Sequence, residues 1–156
     1  MVRESGHRSF PRVMDQHDIA RVVRAFGDAA VRAKEGGLDG LETMVGGHLI
    51  GQFLSPATNH RTDEYGGSLE NRCRFGLMVH EQIRQRVGDD FIVGMRLPID
   101  ESSAGGLDFT QSVEMAGIFE PGQAEFAKFV PLARHSCRTG TPRRKSALSI
   151  SWAATS

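Results

Sequence analysis

Residues 91–97 read FIVGMRL and give the clearest strand signal in the chain. A near-continuous apolar run of this length is typical of a strand that lies in a parallel sheet and is buried on both faces. Asp89 and Asp90 come directly before it and favour a turn. We therefore predict a buried parallel strand at residues 91–97.

Helical signals lie on both sides of this strand. Ser68 is a typical N-cap residue, and the apolar residues after it recur at helical spacing until Gly88. A second helix is predicted to begin at Asp108, where Gln111 completes the spacing of a capping box, and to end before Pro121. The apolar positions that define the two helical faces are Phe75, Met78, Val79, Ile83 and Val87 in the first, and Val113, Ala116 and Phe119 in the second.

A third helix and a weaker strand are predicted upstream. Asp15 is suited to cap the helix, which stops at the Gly36-Gly37 pair because glycine adopts positive φ at little cost. Residues 38–43 follow this capped helix, and their position favours a strand although their own propensity is weak. The apolar stripe of the helix consists of Ile19, Val22, Val23, Phe26, Ala30 and Ala33.

The resulting order of helix, strand, helix, strand and helix indicates an α/β fold. The connections are too long for hairpins, so parallel β/α units are favoured over an antiparallel sheet. Residues 44–67 form a long, glycine-rich connection in which an apolar patch, residues 49–54, favours a short helix. Connections of this length inside a domain are usually functional or disordered.

Charge divides the chain into three regions. Residues 1–14 carry no periodicity and are expected to form an irregular lead-in. Residues 15–120 contain every predicted element, and the first 120 residues carry a net charge of −5. Residues 121–156 carry +5, and we expect them to form a basic tail that is disordered or unrelated to the rest of the fold.

Composition excludes several functional classes. The 156 residues are 39% hydrophobic and 24% charged, as in an ordinary soluble domain, and the formal net charge is zero. Nucleic-acid binding is therefore disfavoured. The apolar runs fall far short of the roughly 20 residues of a membrane span, and no signal peptide is evident, so we expect a cytoplasmic protein without a membrane partner. Cys73 and Cys137 are too few for a disulfide framework or a cysteine metal site, and we expect two reduced thiols and no bound metal.

The two predicted strands point to a candidate site. Ligand-binding groups of parallel β/α proteins cluster at the carboxyl ends of the strands. Thr43, Gly46, Gly47 and His48 follow the first strand, and the paired glycines allow a ligand to approach the backbone closely. For His48, a hydrogen-bonded loop histidine is the alternative to a functional role.

Arg96 lies at the end of the second strand, in an otherwise apolar run. A guanidinium in this position needs an anionic or strongly accepting partner. Ligand contact and a structural salt bridge to Asp100 or Glu101 both satisfy that need. His80, on the second helix, is interpreted as a surface or hydrogen-bonded histidine and not as a metal ligand.

Residues 53–75 read FLSPATNHRTDEYGGSLENRCRF. This stretch closely resembles the F-L-S-P-x-x-N-x-R-T-D-x-Y-G-G-S-x-E-N-R-x-R-F signature of the NADH:flavin oxidoreductase (old yellow enzyme) family. The flanking segments, AAVRAKEGGLDGLE and VGDDFIVGMRL, agree with the family, and the resemblance spans about residues 15–120. The segments GGLDGLET and GGHLIGQF are most similar to the branch that contains 2,4-dienoyl-CoA reductase, trimethylamine dehydrogenase and related demethylases.

The resemblance implies a (β/α)8 barrel, of which this chain would cover helix 4 to helix 6, and hydride transfer through FMN to or from a small-molecule substrate. NAD(P)H is then a candidate electron donor. Arg96 would contact the pyrimidine edge of the flavin. Thr43, Gly46, Gly47 and His48 would lie in the substrate pocket, where His48 takes the usual tyrosine position and is the candidate proton donor. Residues 61–68 are expected to have a structural role.

The chain also departs from the family. The first four strands are absent, and the seventh and eighth, which carry the FMN phosphate site, should follow residue 120, where only residues 123–130 fit the start of a strand. The cysteines that bind the 4Fe-4S cluster of this branch are missing too. We therefore expect an internal part of an FMN-dependent oxidoreductase, weakly active or inactive alone. The alternatives are a non-enzymatic remnant that associates with a partner or another copy through unpaired barrel edges, and a self-contained α/β binding domain.

Overall fold

The computed structural model describes residues 12–119 and, as backbone, one further strand at residues 126–130. Each strand of the described residues follows a helix, and only α2 and α3 lie next to each other without a strand between them, which confirms the α/β prediction. The elements are α1 (Gln16–Glu35), β1 (Gly40–Met44), α2 (Leu49–Leu54), α3 (Leu69–Val87), β2 (Ile92–Pro98), α4 (Phe109–Phe119) and β3 (Phe126–Val130).

The three strands form one parallel sheet in the order β1-β2-β3. Met44 of β1 lies beside Arg96 of β2, and Arg96 lies beside Lys128 of β3. The strand β3 falls where the family resemblance implies the start of a further strand. The sheet therefore extends past the boundary predicted at residue 120. Residues 131–156 of the predicted tail lie outside the described residues.

Capping contacts set the helix ends where the sequence predicts them. Asp15 and Asp18 form a reciprocal capping box at the start of α1. The hydroxyl of Ser68 accepts a hydrogen bond from the backbone of Asn71 at the start of α3, and Gly88 ends that helix with a φ of 72°. These contacts satisfy backbone donors that a helix end otherwise leaves without partners.

The helices cover one face of the sheet. Val93, Met95 and Leu97 of β2 are fully buried, and on the same face Thr43 of β1 contacts His80 of α3. The His80 ring in turn packs edge-on against Phe119 of α4, with 6.1 Å between ring centroids. The hydrophobic core therefore lies between the sheet and α1, α3 and α4.

The other face of the sheet is open in the described part of the chain. Alternate residues of a strand point to opposite faces, so this face carries Glu42, Met44, Ile92 and Arg96. Met44 is 48% exposed and Ile92 is 44% exposed. On this face of β2, Ile92 is exposed and Arg96 is half-buried, whereas Gly94 and Pro98 are buried. The prediction that residues 91–97 are buried on both faces is therefore wrong at Ile92 and Arg96.

The buried side of α4 also differs from the prediction. Val113, predicted to face the core, is 50% exposed, whereas Ser112, Met115 and Phe119 are buried. The buried positions follow the same helical spacing but begin one residue earlier. Among residues 12–119, no helix is both long enough and apolar enough to cross a membrane.

Candidate functional site

The carboxyl ends of β1 and β2 meet at one edge of the open face. The backbone N–H of Val45 donates to the carbonyl of Arg96 at 3.0 Å, which extends the strand pairing by one residue. The loop after β1 therefore starts directly beside Arg96. The structure brings Arg96 and the loop that carries the predicted residues Gly46, Gly47 and His48 to the same edge of the sheet.

Arg96 forms an ion pair across the two strands. Its Nη2 contacts Oε1 of Glu42, and the two side chains are 35% and 25% exposed. The sequence prediction of a salt bridge to Asp100 or Glu101 is therefore wrong, because the partner of Arg96 is Glu42. Asp100 accepts a hydrogen bond from a loop N–H two residues ahead, and Glu101 accepts one from the hydroxyl of Ser55.

The guanidinium of Arg96 keeps one donor without an acceptor. Its Nε is buried and has no hydrogen-bond partner among the described residues. A buried N–H without a partner is costly, and most such groups in folded proteins are satisfied. A ligand with an electron-rich edge at this end of the sheet fits that donor, so the described residues are compatible with one edge of a flavin.

The side chain of Thr43 lies on the opposite face of the sheet from that of Arg96. Its hydroxyl is 2.6 Å from Nε2 of His80 and 3.4 Å from the carbonyl of Gly94. The side chain is therefore turned toward the helices and does not join the groups of the open face. The contact confirms that His80 is a hydrogen-bonded histidine.

The loop 45–48 packs closely on α2. Gly46 is buried, Gly47 has a φ of 83°, and His48 is exposed at the N-cap of α2. A Cβ on Gly51 would lie 2.9 Å from the carbonyl of Val45, so the backbone of α2 touches the loop directly. The glycines therefore fix the course of the loop and leave the His48 side chain at the surface.

The stretch that carries the family signature is held by its own hydrogen bonds. Asn59 donates to the carbonyls of Phe53 and Tyr65, both at 2.6 Å, and its Oδ1 accepts from the N–H of Arg61 at 3.0 Å. Arg72 donates from Nε to the carbonyl of Leu54 at 2.7 Å. These hydrogen bonds close the turn between α2 and α3, although Nη2 of Arg72 is buried without a partner among the described residues.

Arg61 and Asp63 add a two-point ion pair to the same turn. Arg61 Nε and Nη2 both donate to the carboxylate of Asp63, at 2.9 and 2.5 Å. The hydrogen bond from Arg61 holds the pKa of Asp63 below its ordinary value. Arg61 also donates to the carbonyl of Met14, which ties the turn to the segment before α1. These contacts agree with the structural role expected for residues 61–68, which stays a prediction.

A cleft of about 480 Å³ lies beside this turn and was not predicted. It is lined by three separate segments, residues 12–14, α2 and residues 58–63. No single stretch of sequence contains its walls, so pattern reasoning has no local signal for it.

Asp15, His17 and Asp18 bring three metal-binding atoms within 4.8 Å of one another. The carboxylate of Asp15 accepts the N–H of Asp18, and Arg12 pairs with Asp18 at 2.6 Å. Asp15 and Asp18 therefore lie close together because they cap the start of α1.

Comparison with known proteins decides the family. Residues 1–151 match the NADH:flavin oxidoreductase / NADH oxidase family. The chain belongs to this family. The matched range runs past residue 120 and includes most of the segment predicted to be a tail.

Two curated relatives illustrate the similarity. The chain is 51% identical over 121 residues to the multifunctional alkene reductase/demethylase OYE of Caballeronia cordobensis, which covers 76% of this chain and 18% of the relative. It is 49% identical over 114 residues to a probable N-methylproline demethylase of Rhizobium meliloti, with 73% and 17% covered. The chain thus spans less than a fifth of the length of these relatives.

Two solved structures agree with the fold. Histamine dehydrogenase from Rhizobium sp. 4-9 superposes with a TM-score of 0.72 at 37% identity, covering 77% of this chain and 18% of that one. Morphinone reductase in complex with tetrahydroNAD gives a TM-score of 0.68 at 34% identity, covering 78% and 34%. The family resemblance found in the sequence is therefore confirmed.

Proposed function

We propose that this chain forms one part of an FMN-binding (β/α)8 barrel that acts as an oxidoreductase. In the described part of the chain, three parallel strands lie in sequential order with helices on one face only, which is the arrangement of a barrel wall. In such a wall the open face, with Glu42, Met44, Ile92 and Arg96, is the inner one. The chain would cover helix 4 to helix 6, with β3 as the seventh strand.

The position of Arg96 is the observation that supports the proposal most directly. Its guanidinium lies at the carboxyl edge of the sheet, and its buried Nε lacks an acceptor among the described residues. Bound FMN would supply hydride transfer. Arg96 would hold the electron-rich edge of the ring, where a fixed cation favours negative charge.

The loop after β1 would face the small-molecule substrate. Gly47, which is exposed, would let the substrate approach the backbone, while Gly46, buried against α2, would hold the loop in place. His48, exposed at the start of α2, would donate a proton. Thr43 would act from the other side of the strand by tying the loop to α3 through His80. NAD(P)H is the proposed electron donor.

We further propose that the isolated chain binds FMN weakly. The described residues supply the guanidinium and the substrate loop, whereas the family's phosphate site belongs to the seventh and eighth strands. FMN titration, followed by quenching of flavin fluorescence, tests this. We expect weak but saturable binding that Arg96→Leu lowers at least about tenfold, the size of effect seen when a charged hydrogen bond is lost.

Arg86→Leu is the matched control, because Arg86 pairs with Asp28 on the helix side at 2.8 Å and lies away from the sheet edge. It should leave FMN binding unchanged. Equal binding by wild type and Arg96→Leu would refute the role of Arg96. Purification of a monodisperse chain with stoichiometric yellow flavin would refute weak binding.

The exposed apolar side chains of the open face favour a second candidate, a fragment that functions only with a partner. Met44 and Ile92 are exposed on a sheet face that barrel folds bury. We expect the isolated chain to self-associate through this face and the sheet edges. Analytical ultracentrifugation of wild type and Ile92→Lys tests this: a monomer in both would contradict association, and a monomer only in the variant would support it.

A further inference from the structure

Glu42 is placed by the strand register to act on Arg96. Glu42 lies beside Gly94 on β2, and Arg96 follows two residues later on the same face. Gly94 has no side chain, so nothing at that position separates the carboxylate from the guanidinium. The contact between Glu42 Oε1 and Arg96 Nη2 therefore joins two strands across the open face.

The pair has two consequences for the guanidinium. It fixes one terminal nitrogen, which restricts rotation of a long side chain and leaves Nε with a defined position. It also sets a negative charge beside the cation, so that the charge presented at the sheet edge is lower than that of Arg96 alone. Because both side chains are partly exposed, the pair adds little to the stability of the fold.

We propose that Glu42 is a positioning residue for Arg96, which orients the guanidinium toward a bound flavin and moderates its positive charge. The proposal deepens the proposed function, since it rests on Arg96 as the residue that meets FMN. Two separate effects are predicted, one on the mobility of Arg96 without any ligand and one on the preference for reduced over oxidised FMN.

Nuclear magnetic resonance tests the first effect on the chain without flavin. The Nε–H signal of Arg96 is assigned by its loss in Arg96→Lys, and its hydrogen exchange is measured in wild type, Glu42→Ala and Glu42→Gln. We expect exchange at least about tenfold faster in Glu42→Ala, because the guanidinium is released. Glu42→Gln should restore most of the protection, because its amide oxygen still accepts a hydrogen bond.

Glu114→Gln is the control, since Glu114 is exposed on α4 and the substitution changes the same charge. Exchange in Glu42→Ala within about twofold of wild type would overturn the positioning role. So would an equal change in Glu114→Gln.

Flavin titration tests the second effect. The dissociation constants of FMN and of dithionite-reduced FMN are measured for each protein. Glu42→Gln should favour reduced over oxidised FMN by about threefold or more relative to wild type, as expected when one member of a partly exposed charge pair is neutralised. A ratio unchanged in Glu42→Gln would overturn the charge effect. If wild type binds neither form of FMN, the proposed function fails, whereas the exchange measurement still decides whether Glu42 positions Arg96.

Discussion

Two neighbouring glycines in the turn before α3 give a sharp test of its structural role. A Cβ on Gly66 would lie 2.1 Å from the carbonyl oxygen of Arg61 and 2.6 Å from its carbon. Both atoms belong to the backbone, so the clash cannot be relieved by rotation of a side chain. Gly67 has a φ of 80° but open space around its Cβ position. Alanine therefore produces a steric clash at Gly66 and only backbone strain at Gly67.

The contacts around Gly66 set the size of the effect. To accept a Cβ, the turn must move apart and break the bond from Gly66 N–H to Asp63 at 3.1 Å. The Asn71 side chain bonds the Gly66 carbonyl at 3.1 Å, and Asn59 bonds the carbonyl of Tyr65 at 2.6 Å. At about 1 kcal/mol per hydrogen bond, Gly66→Ala should destabilise the chain by about 3 kcal/mol. Gly67→Ala should cost only about 1 to 2 kcal/mol.

Urea unfolding followed by far-UV circular dichroism measures both free energies of unfolding. We expect Gly66→Ala to lower the free energy clearly more than Gly67→Ala. A smaller loss in Gly66→Ala than in Gly67→Ala would refute the backbone clash and with it the structural account of this turn.

Three further predictions concern single side chains. Asn59→Ala should lower the free energy of unfolding in urea by about 3 kcal/mol, because it leaves two buried carbonyls without donors; a loss below about 1 kcal/mol would contradict the bonding. Burial raises the pKa of the Cys73 thiol to about 12, so in a Cys137→Ser variant at about pH 8 we expect Ellman's reagent to react only as fast as the chain unfolds. Rapid labelling of the folded variant would be the contrary result. The hydrogen bond from Arg61 lowers the pKa of Asp63 in the folded chain. The ion pair therefore stabilises the fold above the pKa of an unfolded aspartate, about 3.9, and this contribution is lost as the pH falls through the lower pKa of the folded chain. Asp63→Asn should thus have a lower free energy of unfolding than wild type at about pH 7 and nearly the same free energy at about pH 2. An equal difference between the two proteins at both pH values would argue against the ion pair.

Local signals were sufficient to predict the helices. Asp15, Ser68 and Gly88 act within one turn of the helix end that they define, so their roles can be inferred without knowledge of the fold. The strands β1 and β2 were also predicted, although β1 begins two residues later than expected. A strand boundary depends on where the neighbouring strand stops pairing, which the sequence of one strand does not contain.

Contacts between distant segments could not be predicted in the same way. Arg96 was correctly expected to need an acceptor, but Asp100 and Glu101 are near it only in sequence. Glu42 is 54 positions earlier and becomes a neighbour through the parallel register of β1 and β2. The same limit applies to Thr43, whose side of the strand is fixed by the contact with His80.

The apolar sequence of β2 and the exposure of Ile92 on this strand do not match, and this difference bears on the fold. The sequence of β2 is apolar at alternate positions on both faces, which predicts cover on both sides, yet helices cover only the face of Val93, Met95 and Leu97. Ile92 remains 44% exposed on the other face, beside the polar pair formed by Arg96 and Glu42. In the barrel proposed for this chain, closure would bury Ile92 at the amino end of β2 and leave Arg96 at the carboxyl end, where the proposed flavin would bind. Such an interior would account for both the apolar sequence of β2 and the exposure of Ile92.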